Sequence, residues 1–243
     1  MIYVCVPAYN EAATVGLVLW KVRQVFRDLA REYQLLVADD GSTDETDDVL
    51  APYARVLPLT LLRHPSRKGF AVTMQELLGV ALDRSDRPKR DCAIAMHADF
   101  SHDPAALPEL VRGIESGADV VVAERQRGDE PGSVVERAVG RAVSWYLSRA
   151  VGIDGVRDVT YGLCAYRLSA LKPALGRDTG RVLTLRGSDA SIELLRRVRP
   201  HARRIETVAV PARGGPAARR RRRPRLDRLT ELIRTRAVVR GVA

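Results

Sequence analysis

The segment CAIAMHADFSHDP, residues 92–104, begins with a short apolar run that stops at His97; His97, Asp99, His102 and Asp103 then fall within seven residues. The apolar part has the length of a buried strand. In the overlapping stretch DPAALPELVRGIE (103–115), Pro104 sits where the first turn of a helix tolerates proline. A strand that ends in polar side chains and passes at once into a helix is one β-α unit. The other units of the chain repeat it.

Upstream, residues 2–7 read as a strand ending at Pro7, and 12–31 carry apolar residues at helical spacing, from Val15 through Val18, Val22 and Phe26 to Leu29. QLLVADD (34–40) reads as a second strand, and Ser42 to Glu45 match an S-x-x-E capping box that opens the next helix. LTLLR (59–63) is a third strand, 69–82 a helix, and ADVVVAE (118–124) a fifth strand. This alternation predicts a doubly wound, Rossmann-like α/β fold, a mostly parallel twisted sheet flanked by helices. After residue 126 the rhythm changes. GDEPGS (128–133) is a break, 133–150 a long helix, GLCAYRL (162–168) a strand, 187–198 a helix and IETVAVP (205–211) a strand. The expected organisation is one domain with a nucleotide-binding half (1–125) and an acceptor half (126–211). A basic loop and an amphipathic helix at about 226–239 follow, within 212–243.

With 243 residues, 46% of them hydrophobic, the chain is long enough for one sizeable core. It has no run of 18 apolar residues and no basic, apolar and cleavable leader pattern, so neither a membrane span nor a signal peptide is expected. Cys5, Cys92 and Cys164 are scattered through apolar segments with no C-x-x-C pair. They read as reduced core thiols in a cytoplasmic protein. The net charge of +10 is concentrated in ARGGPAARRRRRPR (212–225), which holds seven arginines and no acid. That stretch fits a solvated charge run, a peripheral contact with anionic lipid, or a clamp on a diphosphate. Nucleic acid is not the expected partner, because no aromatics are interleaved and no binding module is recognisable.

In open α/β sheets, ligands bind beyond the carboxyl ends of the strands. Three of the first four strands end in polar clusters: PAYNE (7–11), DDGSTD (39–44) and HADFSHDP (97–104). Taken alone, DDGSTD reads as an Asx turn with a helix cap. Three clusters on one edge read as a ligand site. No G-x-G-x-x-G or G-x-x-x-x-G-K-[ST] loop is present to cradle phosphates. The edge instead carries Glu11, Asp39, Asp40, Asp99 and Asp103. Such acids repel phosphate unless a divalent cation lies between, and oxygen-rich ligation suits Mg²⁺ or Mn²⁺. His97 and Asp99, two positions apart on extended chain, point the same way and are the candidate metal ligands. His102 and Asp103 read as part of the turn and helix start.

VPAYNEAATV (6–15), VADDGSTDET (37–46), HADFSHDP (97–104) and DVTYGLCAYR (158–167) together resemble the family 2 inverting glycosyltransferases of GT-A fold. Among these, the similarity is to dolichyl- and polyprenyl-phosphate mannose synthase-like enzymes. The resemblance spans roughly 1–211. It implies a nucleotide-diphosphate sugar donor, GDP- or UDP-linked, and transfer with inversion onto a lipid phosphate or a small molecule. It implies that Pro7, Tyr9 and Glu11 line the nucleotide pocket and that Ala38 and Asp40 contact base and ribose. Ala98 and Asp99 would belong to the D-x-D motif, with Asp99 on the metal, and Arg125 would face the diphosphate or sugar. The family's first D-x-D acid is His97 here, a neutral ligand at most. Its late R-x-x-G-x-S-K segment is replaced by the arginine-rich stretch.

A phosphomonoester acceptor is already an ionised nucleophile near neutrality, whereas a hydroxyl needs a base. By the resemblance that base is Asp189, which reads equally as a helix cap, as does Ser188. Asp158 and Thr160 match an acceptor-side D-x-T motif and fit a turn brace as well. Two rivals from other classes are an inactive nucleotide-sugar-binding homologue and an iron oxygenase using His97, Asp99 and the distant His201. The second needs an all-β jelly roll, which the β-α alternation disfavours.

Overall fold

The structure is a computed structural model; it describes residues 1–126, 158–175 and 189–211, with five isolated positions between them. In chain order its main elements are β1 (Ile2–Ala8), α1 (Val15–Leu29), β2 (Tyr33–Asp39), α2 (Thr46–Val56), β3 (Leu59–Arg63), α3 (Phe70–Arg84) and β4 (Cys92–Ala95). They continue with α4 (Leu107–Glu115), β5 (Val120–Arg125), β6 (Cys164–Arg167), α5 (Leu168–Leu175), α6 (Asp189–Val198) and β7 (Ile205–Val210). The break at 128–133, the long helix read at 133–150 save two isolated positions, and everything from 212 onward lie outside the described residues.

The strands form one sheet of order β3-β2-β1-β4-β6-β5-β7. Strand residues alternate between its two faces. Tyr3, Cys5, Leu36 and Ala38 point to one face, where they pack with Met74, Leu77 and Leu78 of α3 and with Leu171 and Leu195 of α5 and α6. Val4, Val6, Leu35 and Val37 point to the other, against Val18, Leu19 and Val22 of α1, Leu50 of α2 and Leu110 of α4. A sheet buried on both faces explains the near-continuous apolar strands. The three cysteines are buried and unbridged, as expected.

The sheet is mostly parallel, as expected: β6 runs antiparallel to both β4 and β5. Its direction follows from its entry point. The chain leaves β5 at Arg125, and the returning Asp158 pairs with that arginine at 2.9 Å, so the chain re-enters from the edge it left. The capping box at Ser42 to Glu45 does not form. The Ser42 hydroxyl donates to Asp39 instead, and α2 starts at Thr46, whose backbone N–H donates to Asp44 at 3.1 Å. Asp39 and Asp44, close in space, outcompete the distant glutamate for these donors. LSALKPAL (168–175), not assigned from sequence, forms α5, with Pro173 inside it.

Candidate functional site

Strand order places β1 between β2 and β4, so the three polar clusters meet at the carboxyl edge. Pro7 and Ala8 pair with Ala38 and Asp39 in the β1–β2 ladder. Beyond the ladder, Asn10 takes a left-handed conformation, φ 55°, which asparagine tolerates. Its backbone N–H donates to Ser42 Oγ at 3.0 Å, and its Oδ1 accepts from the Thr43 N–H at 2.8 Å. The Glu11 N–H donates to Thr46 Oγ1 at 2.9 Å, and its carboxylate accepts from Thr14 Oγ1 at 2.8 Å. Asp39 accepts the N–H of Ser42, three residues on, at 3.0 Å. The first two clusters thus form one hydrogen-bonded rim.

Asp40 does something its place in the sequence does not announce. Its carboxylate accepts the backbone N–H groups of Lys68 and Gly69, both at 2.8 Å, and faces His64 Nδ1 at 2.9 Å. The β3–α3 loop is thereby drawn onto the end of β2. Gly41, at φ +69°, completes the contact: a Cβ there would lie 2.5 Å from the Ser66 carbonyl carbon. Burial pushes the Asp40 carboxyl up, but the bonds from His64, Lys68 and Gly69 outweigh it and hold the group below its usual range. The loop carries two cations that sequence reasoning missed. Arg67 lies over the Tyr9 ring, 4.1 Å from its centroid, and Lys68 Nζ donates to Glu76 at 2.9 Å. The signal was there in R-K-G before a helix, at the end of the third strand.

At the end of β4, His97, Ala98, Asp99, His102 and Asp103 are all buried. Asp99 Oδ1 accepts the Ser101 N–H at 3.0 Å, while Phe100 between them is left-handed, φ 58°. The His97 ring meets Phe70 edge-on and stacks on His102, with ring centroids 4.2 Å apart. Asp103 caps the following turn by accepting the Ala105 N–H at 3.0 Å, as its sequence position implied. His102 Nδ1 accepts the His97 backbone N–H at 3.1 Å. That assigns the ring proton to Nε2, which donates to the Tyr161 carbonyl at 2.6 Å.

Tyr161 belongs to the 158–162 segment, which holds the next part of the edge. Arg125 Nε donates to Asp158 at 2.9 Å, and a second Arg125 nitrogen reaches Thr160 Oγ1 at 3.3 Å. The other Asp158 oxygen accepts from the backbone N–H and hydroxyl of Thr160. Gly162, at φ +84°, lies against Ser191 and His102: a Cβ would stand 3.4 Å from Ser191 Oγ. The start of α6, with Asp189 in its first turn, is therefore beside the His102 bridge. His201 is not: it is exposed in a 3₁₀ turn ahead of β7, at the opposite edge of the sheet, and the mixed α/β architecture leaves no jelly roll for an iron site.

Among the described residues, no three His, Cys, Asp or Glu side chains gather to hold a metal by themselves. His97 and Asp99 offer one imidazole and one carboxylate. That donor set fits a hard cation that keeps waters and takes substrate phosphate as further ligands.

A profile described as Glycosyl transferase family 2 matches residues 3–173. An undecaprenyl-phosphate 4-deoxy-4-formamido-L-arabinose transferase of Edwardsiella ictaluri is 27% identical over 175 residues, covering 71% of this chain and 50% of that protein. The chain spans about half the length of the curated relatives it matches. Glucosyl-3-phosphoglycerate synthase from Mycobacterium tuberculosis, crystallised with Mn²⁺, UDP and phosphoglyceric acid, superposes with a TM-score of 0.68 at 21% identity, over 98% of this chain and 76% of that one. S. aureus TarS 1-349 with UDP-GlcNAc gives a TM-score of 0.58 at 17% identity, over 98% and 66%. Both likenesses concern the fold.

Proposed function

This chain belongs to glycosyl transferase family 2, and we propose that it moves a sugar from a nucleoside-diphosphate donor onto a phosphate-bearing acceptor of the polyprenyl phosphate type. The observation that carries this reading is the meeting of three acidic strand ends on one edge, with Arg125 held beside them by Asp158. The relatives' names supply the acceptor class, and the solved neighbours, crystallised with UDP and Mn²⁺, supply the donor class.

In this reading residues 1–125 bind the donor and 126–211 the acceptor. Pro7, Tyr9 and Glu11 line the nucleotide pocket with Ala38, Asp40 and Ala98. Asp99 and His97 hold Mg²⁺ or Mn²⁺. When bound, the ion offsets negative charge on the departing nucleoside diphosphate. Arg125, fixed in direction by Asp158 and Thr160, adds a cation at the same place. Asp158 therefore acts by positioning Arg125. An acceptor phosphate attacks the anomeric carbon without needing a base. The arginine-rich 212–225 stretch would add a peripheral contact with an anionic membrane.

A hydroxyl acceptor is the second reading. It is supported by the packing of Gly162 on Ser191, two residues after Asp189, which would act as the general base.

A thermal-shift screen of UDP- and GDP-sugars, with MnCl₂ or with EDTA, tests the donor half. One nucleotide should stabilise the protein only with metal, and Asp99→Ala should abolish the shift. An equal shift in EDTA, or in the variant, overturns the assignment. Product analysis with a short polyprenyl phosphate and with 3-phosphoglycerate then separates the acceptors, and donor turnover distinguishes an enzyme from a binding homologue.

A further inference from the structure

His64 is the last residue before the β3–α3 loop turns toward α3, and its side chain is only 5% exposed. Both ring nitrogens face carboxylates: Nδ1 lies 2.9 Å from Asp40 Oδ1 and Nε2 lies 2.6 Å from Glu76 Oε2. A neutral imidazole has one donor and one acceptor nitrogen, whereas an ionised carboxylate only accepts. A neutral ring would turn a lone pair onto one of these oxygens at hydrogen-bond distance. An imidazolium satisfies both.

Charge counting agrees. Asp40, on β2, and Glu76, on α3, contribute two negative charges, and Lys68 Nζ, 2.9 Å from Glu76 Oε1, contributes one positive. A second positive charge on His64 closes the group at zero. The His64 backbone N–H donates to the Asp39 carbonyl at 2.9 Å, and the neutral Lys68 and Gly69 amides share Asp40 with the ring. Burial pushes the Glu76 carboxyl up, yet the bonds from Lys68 and His64 keep it below its usual range.

We propose that His64 is a positioning residue of the donor pocket that works as an imidazolium. By tying Asp40 to Glu76 it fixes the loop that sets Arg67 over Tyr9. The inference rests on the donor-site reading above. Three links connect proton and pocket: the ring holds Asp40, Asp40 holds the Lys68 and Gly69 amides, and Arg67 is the next residue back along the loop. When the ring loses its proton, one of the two bonds becomes a repulsion, the loop loosens, and the nucleotide loses that wall. Donor affinity therefore falls as pH rises.

The test pairs two measurements on the full chain. Long-range ¹H–¹⁵N NMR of ¹⁵N-histidine-labelled protein reads the His64 protonation state directly. It should show protons on both nitrogens at neutral pH and a single loss on raising the pH. Isothermal titration with UDP and with GDP, in Mg²⁺, should show affinity falling about tenfold with the same midpoint, the scale of one charge-assisted hydrogen bond. His64→Gln should bind more weakly at neutral pH and lose the pH dependence. A merely structural role would lower stability without flattening that profile. Should His64→Gln fail to fold, Glu76→Gln serves: removing one carboxylate should shift the midpoint to lower pH. A neutral ring at pH 7, or nucleotide affinity that ignores its titration, overturns the proposal. If the ring titrates and the Tyr9 and Arg67 resonances move with it while no nucleotide binds at any pH, the clamp stands and the donor reading is what fails.

Discussion

The His102 imidazole donates to the Tyr161 carbonyl at 2.6 Å across 59 residues of sequence, while its other nitrogen accepts the His97 N–H. One fully buried ring thus ties the end of β4 to the segment that holds Arg125. Removing it leaves a buried amide and a buried carbonyl without these bonds. His102→Ala should lower unfolding free energy by about 2–4 kcal/mol and weaken metal-dependent nucleotide binding together with stability. Urea denaturation reads the first and titration calorimetry the second. A variant as stable as the parent would mean that the bridge is idle.

Gly41 has two reasons to be glycine, its left-handed φ and the Ser66 backbone 2.5 Å from where a Cβ would sit. Gly41→Ala should cost about 1–3 kcal/mol in strain and push the β3–α3 loop off β2. The expected signature is a fluorescence-monitored nucleotide titration shifted to lower affinity, with the far-ultraviolet dichroism unchanged.

Arg167, at the opposite edge of the sheet, supplies the contrast. Its guanidinium donates to the carbonyls of Lys89, Ile114 and Ala118, at 2.6–2.7 Å, and pairs with Asp119 at 3.2 Å. Arg167→Met strands those carbonyls and should destabilise the fold by about 2–3 kcal/mol. KM for the donor should stay where it is, because no rim residue is touched. A raised KM would contradict the assignment of the site to the other edge.

Acid should loosen the rim. Burial pushes the Asp44 carboxyl up, but the Thr46 hydroxyl and the Ala12 and Thr46 amides hold it below its ordinary value of 3.8, and Asp40 is held down likewise. A depressed folded value means that the stabilisation is complete above that ordinary value and disappears as pH falls through the folded one. Denaturation at a series of pH values should show stability dropping below about pH 4, with a shallower slope in Asp44→Asn. An identical slope would remove Asp44 from the account.

The buried thiols should be silent. Burial raises all three, Cys92 and Cys164 to about 12, so Ellman's reagent should react only as fast as the protein opens.

What could be read without a structure was what is local. Strands β1, β2 and β4 announce themselves because each apolar run ends abruptly in Asn10, Asp40 or His97, and a shared edge follows from the β-α rhythm. The direction of β6 did not, because it depends on where the chain returns, which Arg125 and Asp158 decide in space. The capping box at Ser42 failed for the same reason, since Asp39 competes for its hydroxyl in a turn that the pattern cannot show. Arg67 and Lys68 escaped notice because cations in a loop look like ordinary surface charge until Asp40 and Gly41 pull that loop onto the rim.

The pairing of Arg125 with Asp158 has a mechanical corollary. Arg125 ends β5 and Asp158 stands six positions before β6, so one guanidinium fixes the spacing of two strands that are neighbours in the sheet. A substitution that shortened either side chain would unpin both strand ends at once, while the ladder between them kept its register.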